Sequence, residues 1–156
     1  MNDKLKHNIL QVAVIPFRRQ RGGLQILLIS ARRRKHWTVP KGYHHGDHAL
    51  TEIAAKKAWK EAGVQGKISQ SVLGTYRYRK KRHYCFVYVY PMEVHSIANK
   101  WQQDKRKRKW VAVEDAVYEI SEPELSRIAQ SLPDFLLGAE LRQLIEHLPA
   151  FTKPPN

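Results

Sequence analysis

The chain opens with two short apolar runs separated by a basic segment that contains glycine. Residues Ile9–Phe17 and Leu24–Ile29 are rich in β-forming side chains, and Gly22 and Gly23 lie between them. Such runs are typical of strands, and glycine tolerates the positive φ angles that tight hairpin turns require. The pattern therefore predicts a β-hairpin, followed by a short strand over Thr38–Pro40.

A helical pattern comes next. Residues Ala49–Ala62 contain no glycine or proline, and Gly63 stands directly after them. A glycine in that position commonly ends a helix by adopting the left-handed conformation. We expect Asp47 or His48 to cap the start of this helix, because a short polar side chain can accept a hydrogen bond from a free backbone N–H group.

Later segments complete the predicted architecture. Three of them have the composition of strands: Lys67–Tyr78, Tyr84–Val94 and Trp110–Val113. The first two flank a basic turn over Arg79–His83. Pro123 and Pro133 have the first-turn position ahead of two helices, Glu124–Gln130 and Asp134–His147. This order predicts an α+β domain in which a mixed sheet lies between helices.

Length and composition narrow the class of protein. We expect the 156 residues to form a single domain over residues 1–148, with a tail over residues 149–156. The single cysteine, Cys85, excludes an internal disulfide framework, and its apolar strand predicts that it is buried. The chain shows no leader segment and no apolar run of about 18 residues, so we expect a soluble cytoplasmic protein that does not bind membranes. The oligomeric state is not indicated.

Positive charge dominates the sequence. Lysine and arginine total 28 against 14 aspartates and glutamates, which leaves a net charge of +14. Such a field attracts polyanions, although a merely solubilising surface is the alternative. The charge is concentrated in three clusters: Arg32 to Lys35, Arg77 to Arg82, and Lys105 to Lys109. Arginine suits phosphate binding because its donors form a planar fork.

The segment from Gly42 to Val64 carries a motif with fixed spacing. Gly42 is followed by five residues, then His48, then seven residues, then the sequence Lys-Lys-Ala-Trp-Lys-Glu-Ala-Gly-Val from Lys56 onward. This spacing resembles the Nudix box, which runs Gly, five residues, Glu, seven residues, Arg-Glu-apolar-any-Glu-Glu-any-Gly-apolar. Of the four box glutamates only Glu61 is present, since His48, Lys57 and Lys60 take the other three positions.

The resemblance extends over roughly residues 9 to 145. Leu27 to Ser30, the segment Trp37 to Gly42 and the basic run into Trp110 look like the diphosphoinositol-polyphosphate and diadenosine-polyphosphate hydrolase branch of the Nudix superfamily. The resemblance implies a Nudix α/β/α sandwich. It also implies a phosphorylated substrate and a Mg²⁺ or Mn²⁺ cofactor if the protein is active, and otherwise no cofactor.

The chemistry of the box depends on carboxylates that share one helix face. Positions 57, 60 and 61 are related by i, i+3 and i+4, so three glutamates there would hold Mg²⁺ against a diphosphate. An ammonium group has no free lone pair, and at 4 Å from a like charge it costs roughly 4 kcal/mol at an effective dielectric constant of 20. Glu61 is therefore the one candidate catalytic residue and the one ligand of a weak, incomplete metal site.

Lysine also stands at a further position of interest. Relatives in this branch often carry a glutamate directly before the tryptophan at 110, where this chain has Lys109. Repeated replacement of carboxylates by lysine suggests a cleft that holds an anion directly. The candidate ligand-binding residues are Arg32, Arg33, Arg34, Lys41, Gly42, Lys57, Lys60 and Lys109. Alternatively, Lys56, Lys57 and Lys60 are the solvated face of a helix whose core-facing residues are Leu50, Ile53, Ala54 and Ala58.

Two main hypotheses on function follow, and we favour the first. The protein binds a phosphorylated or polyphosphate ligand in a basic cleft, with metal-dependent hydrolysis weak or lost. Alternatively, it is an active Mg²⁺-dependent pyrophosphohydrolase of nucleoside-diphosphate-linked or polyphosphorylated substrates with a rearranged metal site. A third interpretation is nucleic-acid binding, because aromatic side chains that could stack on bases interleave with the second basic cluster: Tyr76, Tyr78, His83 and Tyr84. Packing within strands explains the spacing of the tyrosines more simply, and we prefer it for Tyr76, Tyr78, Tyr84, Tyr88 and Tyr90. His44, His45 and His48 beside Asp47 would suit a transition metal, but no second ligand group has a recognisable spacing.

Overall fold

A computed structural model of the chain describes residues 8–31 and 35–149. Eight strands are present in this part of the chain: β1 (Asn8–Gln20), β2 (Gly23–Ser30), β3 (Trp37–Thr38), β4 (Lys41–Tyr43), β5 (Val64–Ile68), β6 (Gly74–Lys80), β7 (His83–Ile97) and β8 (Arg108–Ala112). The helices are α1 (Leu50–Lys57), which continues as a π-helical segment (Ala58–Ala62), α2 (Val113–Glu119), α3 (Pro123–Gln130) and α4 (Leu132–Glu146). Residues 150–156 of the predicted tail lie outside the described residues.

The sheet is mixed, as the order of elements predicts. Its two longest strands, β1 and β7, are parallel neighbours from Asn8 opposite Tyr84 to Phe17 opposite Glu93. The other strand pairs are antiparallel: β1 with β4 and β2, β2 with β3 and β8, and β7 with β5 and β6. Because β1 pairs with β4 near its start and with β2 at its end, it brings the segment around Gly42 into the middle of the sheet.

Helices cover both faces of the sheet, and the predicted α+β sandwich is confirmed. Side chains of β1 alternate between the two layers, as the period of two in a strand requires. Val12 and Val14 pack with Ile53 of α1, whereas Ile15 and Phe17 pack in the layer that contains α2 and α3. We call these the α1 layer and the α2–α3 layer.

Both predicted hairpins are present. The first closes with Gln20 opposite Gly23, and Gly22 has φ +93° in its turn. The second closes with Lys80 opposite His83. The prediction of one strand over Lys67–Tyr78 is wrong, because the chain leaves the sheet between β5 and β6. These two strands pair with different halves of β7, and Ser69 and Leu73 donate backbone hydrogen bonds to Pro91 and Val89 on either side of the break.

The central helix forms where it is predicted, but its start differs. Ala49 is the N-cap residue and its side chain makes no capping hydrogen bond, so the prediction of an Asp47 or His48 cap is wrong. His48 instead places its Nδ1 atom 3.5 Å from the Glu52 carboxylate. Gly63 ends the helix in the left-handed conformation with φ +67°, as predicted.

The two C-terminal helices begin at or next to their predicted prolines, and α2 is an element that the sequence pattern did not indicate. The core-facing side of α1 is also confirmed, since Ile53, Ala54 and Ala58 are buried and Leu50 packs against them. Within residues 8–31 and 35–149, no helix has the length and apolar character that would let it cross a membrane.

Candidate functional site

Glu61 is nearly buried where the π-helical segment approaches β4, with 10% of its side chain exposed. The backbone N–H of Lys41 donates a hydrogen bond of 3.2 Å to its Oε1 atom. Nη1 of Arg106 lies 3.4 Å from the same oxygen, and the Arg106 side chain is only 12% exposed. The carboxylate that the box retains is thus paired with a guanidinium group inside the protein.

The guanidinium of Arg106 is itself held in place. Its Nε donates 2.9 Å to the carbonyl oxygen of Ser30, and its Nη1 donates 3.0 Å to Oε1 of Gln103. Gln103 in turn donates its backbone N–H to the carbonyl of Lys60. These contacts orient the charge of Arg106 toward Glu61 without relying on the ion pair alone.

The residues around Glu61 do not fit a divalent metal. Magnesium takes six oxygen ligands, and its protein sites supply carboxylates. Here the neighbouring box positions carry Lys57 and Lys60, and Glu61 already accepts hydrogen bonds from Arg106 and Lys41. Among the described residues, no group of three histidine, cysteine, aspartate or glutamate side chains is arranged to hold a metal ion.

The end of the helix is fixed by side chains from the segment before and within β8. Nε1 of Trp101 donates 3.0 Å to the carbonyl of Glu61, and Nη1 of Arg108 donates 2.9 Å to each of the carbonyls of Ala62 and Ala98. The Arg108 guanidinium also lies 3.7 Å from the centre of the Trp101 ring. Burial lowers the pKa of Arg108. These donors satisfy carbonyl groups that a helix end leaves free, and they set the position of Glu61.

Lys57 lies directly against the first glycine of the motif. A Cβ atom on Gly42 would overlap Cε of Lys57 and lie 2.7 Å from its Cγ. The stem of Lys57 therefore crosses the backbone of β4 at a distance that only glycine permits. Gly42 leaves room for the side chain of Lys57 because it has no Cβ atom.

Lysines and histidines form a cleft beside α1. Lys56, Lys57 and Lys60 line it together with His45 and His48, and we call this set the lysine cleft. Its volume is about 200 Å³, which is large enough to accommodate a phosphoryl group. Glu52 and Ile53 complete the lining.

The lysine cleft carries unbalanced positive charge. The Glu52 carboxylate lies 3.5 Å from Nδ1 of His48 and forms no ion pair with Lys56. Within the described part of the chain, no carboxylate lies within 4 Å of the ammonium groups of Lys56, Lys57 or Lys60.

Two of the predicted ligand-binding lysines lie elsewhere. The ammonium group of Lys41 is 3.4 Å from the hydroxyl of Tyr78 and 4.7 Å from the centre of its ring. Lys109 forms a 2.9 Å ion pair with Glu119 and lies 4.3 Å from the centre of the Trp37 ring. Both ammonium groups already have partners inside the protein.

Strand register explains why Lys41 and Lys109 lie away from the lysine cleft. Lys41 is opposite Ala13 and Lys109 is opposite Leu28, so both side chains face the α2–α3 layer. Gly42 follows Lys41 and faces the α1 layer, where Lys57 crosses it. The structure brings together Gly42, Lys57 and Lys60, and it places Lys41 and Lys109 on the opposite face of the sheet.

The remaining candidate residues belong to the first and third basic clusters. Arg32, Arg33 and Arg34 lie outside the described residues. In the cluster from Lys105 to Lys109, the side chains of Arg106, Arg108 and Lys109 each contact other parts of the protein. Sequence reasoning placed Arg106 in a basic cluster but did not identify it as the partner of Glu61, because the loop has no fixed spacing from which this contact could be inferred.

The packing interpretation of two tyrosines is confirmed. Tyr76 is buried and its hydroxyl donates 3.2 Å to Oε2 of Glu122, and burial together with the Glu122 charge raises its pKa. The Tyr78 hydroxyl donates 2.6 Å to Gln11, and burial raises its pKa as well. Cys85 is buried, as predicted.

Comparison with known protein families gives a match over most of the chain. A family model described as the NUDIX domain matches residues 7–135. The chain belongs to the Nudix family. Nudix hydrolases generally use Mg²⁺ or Mn²⁺.

Curated relatives are Nudix hydrolases. Nudix hydrolase 21, chloroplastic, of Arabidopsis thaliana is 33% identical over 113 residues, which cover 68% of this chain and 57% of that protein. Diphosphoinositol polyphosphate phosphohydrolase 2 of Rattus norvegicus is 32% identical over 110 residues, which cover 69% of this chain and 60% of that protein. The chain thus spans less than two thirds of the length of these relatives.

Solved structures with the same fold include nucleotide-related Nudix proteins. The binary complex of the C. elegans Ap4A hydrolase aligns with a TM-score of 0.64 at 21% identity, covering 83% of this Nudix chain and 98% of that chain. The NUDIX domain of Shewanella oneidensis NrtR complexed with ADP ribose aligns with a TM-score of 0.64 at 20% identity, covering 81% and 88%. At these identities the likeness establishes the fold.

Proposed function

We propose that this Nudix protein binds a phosphorylated small molecule or polyphosphate in the lysine cleft without a metal, and that its metal-dependent hydrolase activity is weak or lost. The ion pair between Glu61 and Arg106 carries the proposal. The guanidinium group of Arg106 neutralises the carboxylate of Glu61, so a metal ion would have to displace a nearly buried partner in order to bind there. Lys57 and Lys60 supply positive charge where the Nudix box supplies glutamates.

Charge balance supports direct anion binding. In a Nudix enzyme the metal neutralises substrate phosphates, a task that ammonium groups can perform by themselves. Lys56, Lys57 and Lys60 border one cleft together with Glu52, so three ammonium groups face one carboxylate there. The proposed ligand class is consistent with the name of one relative, diphosphoinositol polyphosphate phosphohydrolase 2.

Calorimetry in the presence of EDTA tests the binding step. Suitable probes are inorganic tripolyphosphate, diadenosine tetraphosphate and an inositol pyrophosphate. We expect binding without metal, and at least a tenfold loss of affinity in the Lys57→Gln/Lys60→Gln variant because charge-assisted contacts to phosphate disappear. The matched control is Lys100→Gln/Lys105→Gln, which removes the same charge at exposed positions outside the cleft. Equal loss in both variants would contradict a specific site.

An activity assay tests the alternative hypothesis. The same probes, with ADP-ribose and capped RNA ends, are incubated with Mg²⁺ or Mn²⁺. We expect little or no turnover. Turnover at an ordinary enzyme rate that Glu61→Gln abolishes would establish an active pyrophosphohydrolase with a rearranged metal site and overturn the proposal.

The cytoplasmic location of the protein remains a prediction.

A further inference from the structure

One face of the β6–β7 hairpin carries three aromatic side chains in a row. Tyr84, Phe86 and Tyr88 alternate along β7 with the buried residues Cys85 and Val87. Because side chains two apart on a strand share a face, the three rings point the same way at intervals of roughly 6.6 Å. None of the three is buried, and Tyr88 is 37% exposed.

Basic residues lie opposite these rings on β6. Arg79 pairs with Tyr84 and Arg77 pairs with Phe86 in the antiparallel register, and both arginines are exposed. We call the surface formed by Arg77, Arg79, Tyr84, Phe86 and Tyr88 the aromatic–arginine face. It lies on the side of the sheet opposite the buried Tyr76 and Tyr78.

Contacts within this face confirm that its side chains share one surface. The Arg77 guanidinium is 5.5 Å from the centre of the Tyr84 ring, and the Tyr84 and Phe86 ring centres are 6.5 Å apart. A groove of about 620 Å³ at the edge of β6 reaches both sides of this strand, and its lining is Thr75, Tyr76, Arg77, Phe86, Tyr88 and Glu124. The Tyr84 and Phe86 rings are inclined at 52° to each other, and both remain partly exposed.

The surrounding sequence is free of negative charge. Residues 62–92 contain six lysines and arginines and no aspartate or glutamate. The carboxylate that reaches the groove is that of Glu124 in α3, which is paired with Arg127. The electrostatic potential along the hairpin therefore favours a polyanion, while the rings offer apolar stacking surfaces.

From this combination we propose that the aromatic–arginine face binds single-stranded nucleic acid. Exposed aromatic rings on a sheet stack two or three unpaired bases, and arginines beside them contact the phosphates. A duplex keeps its bases stacked on each other, so its base faces cannot reach the rings. A small phosphorylated metabolite would use the charge but leave most of the aromatic row unused. The aromatic–arginine face shares no residue with the lining of the lysine cleft, and the proposal does not depend on the function proposed for that cleft.

Fluorescence anisotropy with labelled 12-nucleotide oligonucleotides tests the proposal. The probes are uridine- and thymidine-rich single strands and a duplex of matched length. We expect both single strands to bind more tightly than the duplex, and the ratio between them shows whether RNA or DNA is preferred. Tyr84→Ala/Tyr88→Ala should weaken single-strand binding by at least roughly 30-fold, because the bases lose two rings on which to stack. Tyr118→Ala, which removes an 86% exposed ring in α2, is the matched control.

Salt dependence separates the arginines from the rings. Arg77→Gln/Arg79→Gln should reduce the slope of log affinity against log salt by about 0.7 for each phosphate that the variant no longer neutralises, whereas the tyrosine variant should leave the slope unchanged. Arg142→Gln/Lys100→Gln removes two exposed charges elsewhere and serves as the control. Circular dichroism verifies that each variant is folded.

Photocrosslinking gives a readout that needs no substitution. A strand containing 5-iodouridine, irradiated on the unaltered protein, should attach to Tyr84, Phe86 or Tyr88, as identified by mass spectrometry. Duplex binding as tight as single-strand binding, an unchanged affinity in the folded tyrosine variant, or crosslinks confined to the lysine cleft would each overturn the proposal. Tripolyphosphate binding is measured on the same variants. A loss of nucleic-acid binding can then be distinguished from a loss of phosphate binding in the lysine cleft.

Discussion

Glu61 and Arg106 form an ion pair of 3.4 Å between side chains that are about nine-tenths buried. They are 45 residues apart in the chain, and their contact joins the π-helical segment to the loop before β8. Removing one partner of such a pair leaves an uncompensated charge that water reaches poorly. Loss of Arg106 is therefore expected to destabilise the protein, because the Glu61 carboxylate would remain nearly buried without its partner.

Replacement of Arg106 by methionine is expected to lower the free energy of unfolding by about 2–4 kcal/mol, since it isolates the Glu61 carboxylate. The double variant Glu61→Gln/Arg106→Met should recover part of this loss. Urea denaturation measures both values. The control is Arg127→Met, which breaks the exposed pair with Glu124 and should change stability by no more than about 0.5 kcal/mol. If Arg106→Met and Arg127→Met lowered the free energy of unfolding equally, the ion pair between Glu61 and Arg106 would not be important for stability.

Alanine at position 42 is expected to displace Lys57. The added Cβ would overlap the lysine stem, and overpacking of this kind typically destabilises by about 1–3 kcal/mol. The double variant Gly42→Ala/Lys57→Ala should be more stable than Gly42→Ala alone, because alanine at 57 removes the obstructing atoms. Thermal denaturation of the four proteins in this cycle measures the coupling. Strict additivity would mean that the two residues do not contact each other in solution.

Lysine at position 108 is expected to be a poor substitute for arginine. Arg108 bridges the carbonyls of Ala62 and Ala98 and stacks on Trp101, whereas an ammonium group lacks the planar fork and the stacking surface. We expect Arg108→Lys to lower the free energy of unfolding by about 1–2 kcal/mol. Arg142→Lys on the exposed side of α4 should have almost no effect in the same denaturation experiment.

Stability is expected to fall at alkaline pH. The pKa of buried Tyr76 is raised, so the native state keeps this proton at a pH where the unfolded chain, with a tyrosine pKa near 10, loses it. The stabilisation is complete below pH 10 and decreases above it by about 1.4 kcal/mol per pH unit for one proton. Tyr76→Phe should show a shallower decline between pH 10 and 11.5, although it is less stable at neutral pH. Parallel curves would contradict this account. Dilute protein is required because the pI is near 10.1.

Much of the fold follows from local patterns. The period of two in β1 and β2, the uninterrupted helical run before Gly63, and the prolines ahead of α3 and α4 each act over a few residues. The break between β5 and β6 was not predictable in this way. Both segments favour extended backbone, and the break depends on how each one pairs with β7.

The tyrosines also show which features local sequence patterns predict and which depend on tertiary structure. The spacing of the tyrosines predicted strand packing, which is correct for Tyr76, Tyr78 and Tyr90. Tyr84 and Tyr88 have similar neighbours in sequence but remain partly open. Helix α1 covers one end of their sheet face and not the other, and that difference arises from helix placement rather than from the strand itself.

The sequence by itself determined the Nudix frame of this protein: the glycines at 42 and 63, the helix between them, and lysines in place of carboxylates. Only the tertiary structure decided which lysines share a cleft and which charge Glu61 meets. Spacing within one helix places Lys57 and Lys60 together, because backbone geometry relates neighbouring residues directly. Strand register and the loop before β8 turn Lys41 and Lys109 to the opposite face and bring Arg106 to Glu61. Those contacts join distant segments, and they exist only once the whole sheet has formed.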